Sequence, residues 1–259
     1  MNVNKQPFGL TRTHVDSDHA LIGPDSHVPS PLVNWKKTTG VILISPAMGG
    51  HPRGPRFVQY LAMTTSESET TGASEGVQRL IYVLDGSVSL DGVTLKTDDF
   101  AWLAPHEKYA INGQGEGKLL VFEKPYAPLA STEESLPPRI VSSFSKIAAE
   151  PFLGDPDAML TTLLPISPAF DMAVNVFTYQ SGATLPFVET HVMEHGLYMR
   201  SGQGVYRLGK KWYPVAKGDT IWMAAYCPQW FVAMGKESAS YIYYKDIHRD
   251  PLASQDPLR

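Results

Sequence analysis

The sequence predicts an all-β fold made of two copies of one barrel-like unit, and three observations carry that prediction. First, 21 glycines and 21 prolines are spread through the chain. They punctuate short segments rich in Val, Ile, Tyr, Phe and Trp, such as "RLIYVLDGSVSL", "KLLVFEKPYAP" and "ASYIYYKDI", the pattern of many short strands. Second, "LIYVLDGSVSLDGVTLKTDDFAWLAP" in the first half is echoed by "GLYMRSGQGVYRLGKKWYPVAKGDTIWMAA" in the second. Each has an apolar strand, a glycine turn, a second strand, another turn and a Trp-containing third strand, which implies a duplicated β unit. Third, helix signals are confined to "SSFSKIAAEPFL" and the stretch from Asp155 to Leu163, too little for an alternating α/β fold.

In chain order, the first forty residues are rich in Pro, His and Asp and read as a loop-like arm that packs along the other half or a neighbouring subunit. The first β unit comes next. The segment "YAPLASTEESLPPRIVSSFSKIAAEPFLGDPD" is polar, contains prolines and lacks strand alternation. A boundary near residue 140 is therefore expected, giving domains 1–140 and 141–259. Aligning the repeats on Gly86 with Gly202 and Trp102 with Trp222 places the two tryptophans at equivalent positions, which argues for core packing.

Composition excludes several classes of function. With 259 residues, 43% hydrophobic and 19% charged, the chain can bury a substantial core. The net charge of -4 comes with no run of Lys and Arg, so neither nucleic acid nor an anionic membrane surface is an expected partner. No window approaches the roughly 20 apolar residues that span a bilayer, and "MNVNKQPFGLTRTHVDSDHA" lacks an apolar signal core. A cytoplasmic location is expected. Cys227 is the only cysteine; an internal disulfide is excluded, and a small buried apolar side chain is the preferred reading over a catalytic thiol.

The stretch "ETHVMEHGLYMRSGQG" offers a ligand set. In extended backbone, Glu189 and His191 project from one face, whereas a helix would splay them by about 200°. A straight strand would carry His195 about 13 Å from His191, so the chain must bend, with Met193-Glu194 at the bend. The solvated end of a hairpin is the competing reading of the same residues. Gln229, taken alone, reads as a surface amide, and Glu194 as a solvated side chain at the bend in preference to one that orients the neighbouring imidazole. His14, His19, His27, His51, His106 and His248 each lie singly in polar or Pro-rich surroundings and read as surface or hydrogen-bonded groups.

The residues downstream of His195 favour the ligand reading. Gly202 lies beyond it, and Gly218 opens "GDTIWMAAYCPQW", an order that resembles the two motifs of the cupin superfamily. Glu189 and His191 then stand at the paired positions, His195 at the usual Glu position and Gln229 at the fourth. The longer match is more specific. "ETHVMEHG", "GQGVYRLGKKWYPVAKGD", "PQWF", "SYIYYKDIHRDPL", "NWKKTTGVILISPAMGG" and "PFGL" closely resemble the (S)-ureidoglycine aminohydrolase family over roughly Pro7 to Leu252. The resemblance implies a bicupin of two tandem jelly-roll barrels, Mn2+ in the C-terminal barrel on Glu189, His191, His195 and Gln229, and hydrolytic release of ammonia from a small ureido substrate. It also implies a homo-oligomer. Plant members of the family carry secretory leaders, and their location is not carried over.

The same repeat alignment puts Arg79 opposite His195, Tyr109 opposite Gln229 and Glu75 opposite His191. A guanidinium cannot ligate, so the first barrel is expected to be a metal-free scaffold. For the anionic substrate, Lys245 and Tyr241 share a strand face by even spacing, and Tyr206 is expected to face inward and donate its hydroxyl. Glu189 is expected to double as general base. A metal-dependent bicupin oxygenase or decarboxylase, and a non-catalytic bicupin binding protein, are the alternatives.

Overall fold

The computed structural model describes residues 11–50, 56–72, 76–128 and 136–249, and within them strands form two sandwiches. The first pairs a seven-stranded sheet with a four-stranded one. The seven-stranded sheet contains Val58–Thr64, Val77–Asp85, Asp99–Leu103 and Gly117–Pro125; the four-stranded sheet contains Glu69–Gly72, Ser87–Leu90, Val93–Lys96 and Tyr109–Gly113. The second pairs an eight-stranded sheet with a three-stranded one. The eight-stranded sheet contains Met172–Tyr179, His195–Ser201, Thr220–Met223 and Ala239–Asp246, and the three-stranded sheet is Lys211–Ala216, Gln203–Leu208 and Gln229–Met234. These are the two copies of one β unit that the sequence repeat predicts, in the bicupin arrangement that the family resemblance implies.

Three apolar cores result from strand alternation. On Val77–Asp85, Ile81 and Val83 point into the first sandwich while Leu80 and Tyr82 point out of it. The outward set meets Val174, Val176, Ile242 and Tyr244 of the second sandwich, so a third core lies between the two. That is why "LIYV" is apolar without a break: both faces of the strand are buried. Trp102 and Trp222 both lie in this middle core, in agreement with their reading as packing residues. A buried ion pair crosses it. The Lys124 ammonium meets the Asp171 carboxylate, which also accepts the Ala127 N–H at 2.8 Å.

The two halves share strand register at equivalent positions. Leu103 pairs with Arg79 in the first, as Met223 pairs with His195 in the second. Gly86 and Gly202 occupy one kind of turn, with φ of 75° and 69°. A Cβ there would stand 2.4 Å from the Glu116 carbonyl oxygen or 2.5 Å from that of Ser238, so only glycine fits either place.

The structure corrects two readings. The stretch expected to be briefly helical between Asp155 and Leu163 is the strand Asp155–Thr162, held by register pairs with Met172–Tyr179; sheet pairing overrides the weak local preference. The described part of the arm packs along the other half as expected, but through a strand and not only as a loop. Its strand His19–Ile22 pairs with Thr220–Met223 of the second sandwich, putting Ala20 opposite Trp222. Reciprocally, Ile140–Ser143 pairs with Asp99–Leu103 of the first, putting Ile140 opposite Trp102. Among the described residues no helix is long and apolar enough to cross a membrane.

Candidate metal and substrate site

All seven residues singled out from the sequence, Glu189, His191, His195, Tyr206, Gln229, Tyr241 and Lys245, line one cavity of about 200 Å³ in the second sandwich. Its remaining wall is largely aromatic and includes Phe152, Phe177, Phe187 and Tyr243. Four strands deliver the polar groups. His195 opens His195–Ser201, Gln229 opens Gln229–Met234, Tyr206 lies on Gln203–Leu208, and Tyr241 and Lys245 lie on Ala239–Asp246. Glu189 is held by an isolated antiparallel bridge to Gln229, with N–H to carbonyl distances of 2.8 and 2.9 Å.

The bend expected between the histidines is present, centred on Val192 and Met193 rather than Met193-Glu194. It brings the imidazole centroids to 4.4 Å. His191 Nδ1 bonds the Met193 carbonyl at 2.9 Å; a carbonyl only accepts, so Nδ1 carries the proton and Nε2 a lone pair. That lone pair faces Gln229 Nε2 at 2.9 Å, and His195 Nδ1 faces the same amide nitrogen at 3.3 Å. His195 Nε2 is buried and has no hydrogen-bond partner among the described residues. Burial holds both imidazoles below the ordinary histidine range, and the Lys245 cation adds to the shift. Both are therefore neutral, as metal ligation requires.

Burial pushes the Glu189 carboxyl up, and the Lys245 ammonium offsets part of that shift. Lys245 is itself pushed down by burial, relieved in part by Glu189. His195 and Lys245 are register partners on adjacent strands. The Tyr206 hydroxyl faces inward as expected but donates to Gln229 Oε1 at 3.0 Å, so it addresses the amide. The Tyr241 hydroxyl shares a hydrogen bond with Tyr179 at 3.1 Å. One lone pair on each neutral imidazole and the Glu189 carboxylate suit a divalent cation by donor chemistry, and the Gln229 amide joins them only with its oxygen turned to the imidazoles, where its nitrogen stands.

Glu189, His191 and His195 are a looser set than two other groups among the described residues. His14, Asp16 and His19, and also Asp18, His19 and Cys227, have their donor atoms within 4.8 Å of one another. The first group holds a cation of the chain itself: Lys211 Nζ lies 2.8 Å from Asp16 and 3.1 Å from His14. His19 spends both ring nitrogens, on Asp18 at 2.7 Å and the Tyr213 hydroxyl at 2.7 Å, and Cys227 is a buried thiol. His14 and His19 are thus hydrogen-bonded, as their sequence reading has it.

Glu194 is a correction. It is not a solvated side chain at the bend but a buried one, 7% exposed. It accepts the Arg56 N–H at 2.7 Å and the Tyr244 hydroxyl at 3.4 Å. Burial raises its carboxyl to about 7. Sequence reading also missed Asp246 and Arg56, which surround it. Asp246 comes directly after Lys245 in "YKD" and points to the opposite strand face, so spacing alone gave no reason to associate it with the ligands.

In the first sandwich, the positions equivalent to His195 and Lys245 hold Arg79 and Glu123, paired at 2.7 Å. Tyr60 donates to the same Glu123 oxygen at 2.9 Å, and the Arg79 guanidinium lies over the Tyr109 ring. By register Tyr109 faces Gly72, as Gln229 faces Glu189, so the counterpart of the Glu189 carboxylate has no side chain. The proposed counterpart of His191, Glu75, lies outside the described residues.

No family model matches the chain. Curated relatives do. A probable (S)-ureidoglycine aminohydrolase of Oryza sativa subsp. japonica is 42% identical over 251 residues, 94% of this chain and 78% of the relative. The (S)-ureidoglycine aminohydrolase of Arabidopsis thaliana is 41% identical over 94% of this chain and 80% of its own length. That of Escherichia coli K12 is 32% identical over 89% of each. Among solved structures, the E. coli protein Ylba superposes with a TM-score of 0.79 at 28% identity, covering 93% of this chain and 96% of that one. A putative glyoxylate induced protein of Pseudomonas aeruginosa gives 0.84 at 25% identity, with 93% of each chain covered. Bacillus subtilis oxalate decarboxylase, at 9% identity, 0.67, and 91% and 78% coverage, shares the fold alone.

Proposed function

The chain belongs to the (S)-ureidoglycine aminohydrolase family, and from that premise we propose that it is a manganese-dependent enzyme of purine catabolism. It hydrolyses (S)-ureidoglycine to (S)-ureidoglycolate and ammonia. The observation that carries this reading is the gathering of two neutral imidazoles, a carboxylate, an amide and an ammonium around a single aromatic-walled cavity.

Glu189, His191, His195 and Gln229 would hold the metal. Carboxylate and amide oxygen suit Mn2+, while imidazole admits other first-row ions, so the family supports manganese more than the donors do. Bound there, the ion supplies Lewis acidity toward substrate heteroatoms and water. The rest is the work of the chain. The Lys245 ammonium, partly desolvated and offset only by Glu189, is suited to take the substrate carboxylate, with the Tyr241 hydroxyl on the same strand face as a directional donor. Tyr206 acts through Gln229: its hydroxyl meets the amide oxygen in this structure and would accept from the amide nitrogen once the oxygen turned toward a bound metal. Glu189, with its carboxyl raised by burial, takes the proton of the attacking water on a carboxylate oxygen and returns it to the departing amine. The aromatic wall limits water in the cavity and fixes which face of the substrate carbon is open.

Elemental analysis of purified protein, coupled to ammonia release from freshly generated ureidoglycine, tests metal and reaction together. Stoichiometric manganese and ammonia release are expected; metal-free protein that stays inactive after added Mn2+, or oxygen uptake without ammonia, overturns the reading. A cytoplasmic location and a homo-oligomeric state belong to the same proposal, supported by a free buried thiol compatible with reducing conditions and by the family resemblance. Light scattering on the eluting protein checks the assembly.

A further inference from the structure

The ligand pair poses a mechanical problem, since two histidines four residues apart in extended chain would stand about 13 Å apart, yet their ring centroids are 4.4 Å apart. The backbone must be held folded between them. One anchor is local, the His191 Nδ1–H on the Met193 carbonyl. The other comes from a distant strand: the Glu194 N–H donates to Asp246 Oδ1 at 2.8 Å, where the bend rejoins the sheet.

Asp246 is itself clamped. It is 9% exposed, and its second oxygen takes the Arg56 guanidinium at 3.0 Å. The Arg56 backbone N–H closes the circuit by donating to Glu194 Oε2 at 2.7 Å. Three residues thus form a ring behind the His195 and Lys245 pair, on the strand face turned away from the cavity. None of the three lines the cavity.

We propose that Asp246 is a positioning residue for the metal ligands, fixing the bend that makes His191 and His195 converge, with Arg56 of the ligand-poor first half as its brace. The role rests on bonding geometry. A carboxylate accepting a backbone N–H makes a strong, directional bond, and losing it leaves that buried N–H unpaired at the point that sets the His195 ring. Partners that orient ligands in this way typically govern metal affinity by about 10- to 100-fold.

The inference rests on the metal site proposed above, so the test carries a ligand variant beside the positioning variants. Mn2+ alone is titrated into metal-stripped protein, free Mn2+ is read by its paramagnetic resonance signal, and melting temperature is recorded for each variant. Asp246→Ala is expected to weaken binding roughly 10- to 100-fold, and Asp246→Asn, which keeps an oxygen for the Glu194 N–H, to recover most of the loss. Arg56→Gln is expected to weaken it severalfold; because this side chain is half-exposed, the variant tests the brace even if Asp246→Ala does not fold. Val174→Ala, in the core between the sandwiches, is expected to lower the melting temperature with affinity unchanged. If His195→Ala abolishes binding while Asp246→Ala and Arg56→Gln bind as the parent does, the positioning role is overturned by itself. If His195→Ala also binds as the parent does, the metal-site reading fails instead.

Discussion

Replacing Lys245 by Met should move activity and stability in opposite directions. The ammonium lies in the cavity wall, no carboxylate forms a direct ion pair with it among the described residues, and burial lowers its pKa with only partial relief from Glu189. Methionine fills nearly the same volume without the charge. If Lys245 binds the substrate carboxylate, the lost charge-assisted hydrogen bond is worth about 1.5 to 3 kcal/mol, or roughly 10- to 150-fold in kcat/KM, most of it in KM. Removal of a poorly compensated cation should stabilise the fold by about 0.5 to 2 kcal/mol. Steady-state ammonia release and urea unfolding read the two effects. The pH dependence gives the sign independently. Because the pKa is depressed, the folded protein loses this charge at lower pH than an ordinary lysine would, so KM should begin to climb below the ordinary lysine range as pH rises, and Lys245→Arg should postpone that climb. A Lys245→Met protein with parental KM and reduced stability would refute the reasoning on both counts.

Three other perturbations have outcomes set by the same structure. Glu189→Gln should lower turnover at least about 100-fold in protein that still holds manganese, the size expected for loss of a general base; unchanged turnover in metal-loaded protein removes Glu189 from proton transfer. Lys124→Met should cost about 3 to 5 kcal/mol by stranding the buried Asp171 carboxylate, whereas Lys36→Met, at the exposed pair with Glu69, should cost less than about 1 kcal/mol; equal costs in chemical denaturation would contradict the burial argument. Burial holds the Cys227 thiol at about 11, so roughly 0.3% is thiolate at pH 8.5, and alkylation should be slow until the protein is unfolded.

The duplicated strand order, the paired tryptophans and the cavity residues were legible because each leaves a local trace: alternation, a turn glycine, or even spacing along a strand. The repeat alignment even predicted the register that sets Arg79 against His195. What stayed hidden depends on contacts that spacing does not encode. Glu194 reads as solvated because a charged residue at a bend usually is; its burial depends on contacts from distant residues, the Arg56 N–H and the Tyr244 hydroxyl. Tyr206 is expected near the candidate ligands, but the receiver of its hydroxyl, Gln229, is set by the pairing of Gln203–Leu208 with Gln229–Met234. Asp155–Thr162 carries only a weak local pattern, and what makes it a strand is its pairing with Glu150–Phe152 on one side and Met172–Tyr179 on the other, which that pattern does not encode.

The exchange of edge strands has a consequence for how this polypeptide can be divided. His19–Ile22, ahead of the first half in the chain, joins the sheet of the second, and Ile140–Ser143, at the start of the second, joins the sheet of the first. A cut near residue 140 would therefore yield two fragments, each carrying a strand that belongs to its sibling and each exposing an unpaired flank prone to self-association. Neither fragment is a free-standing module, so the ligand-poor half cannot be discarded without unlacing the one that holds the cavity.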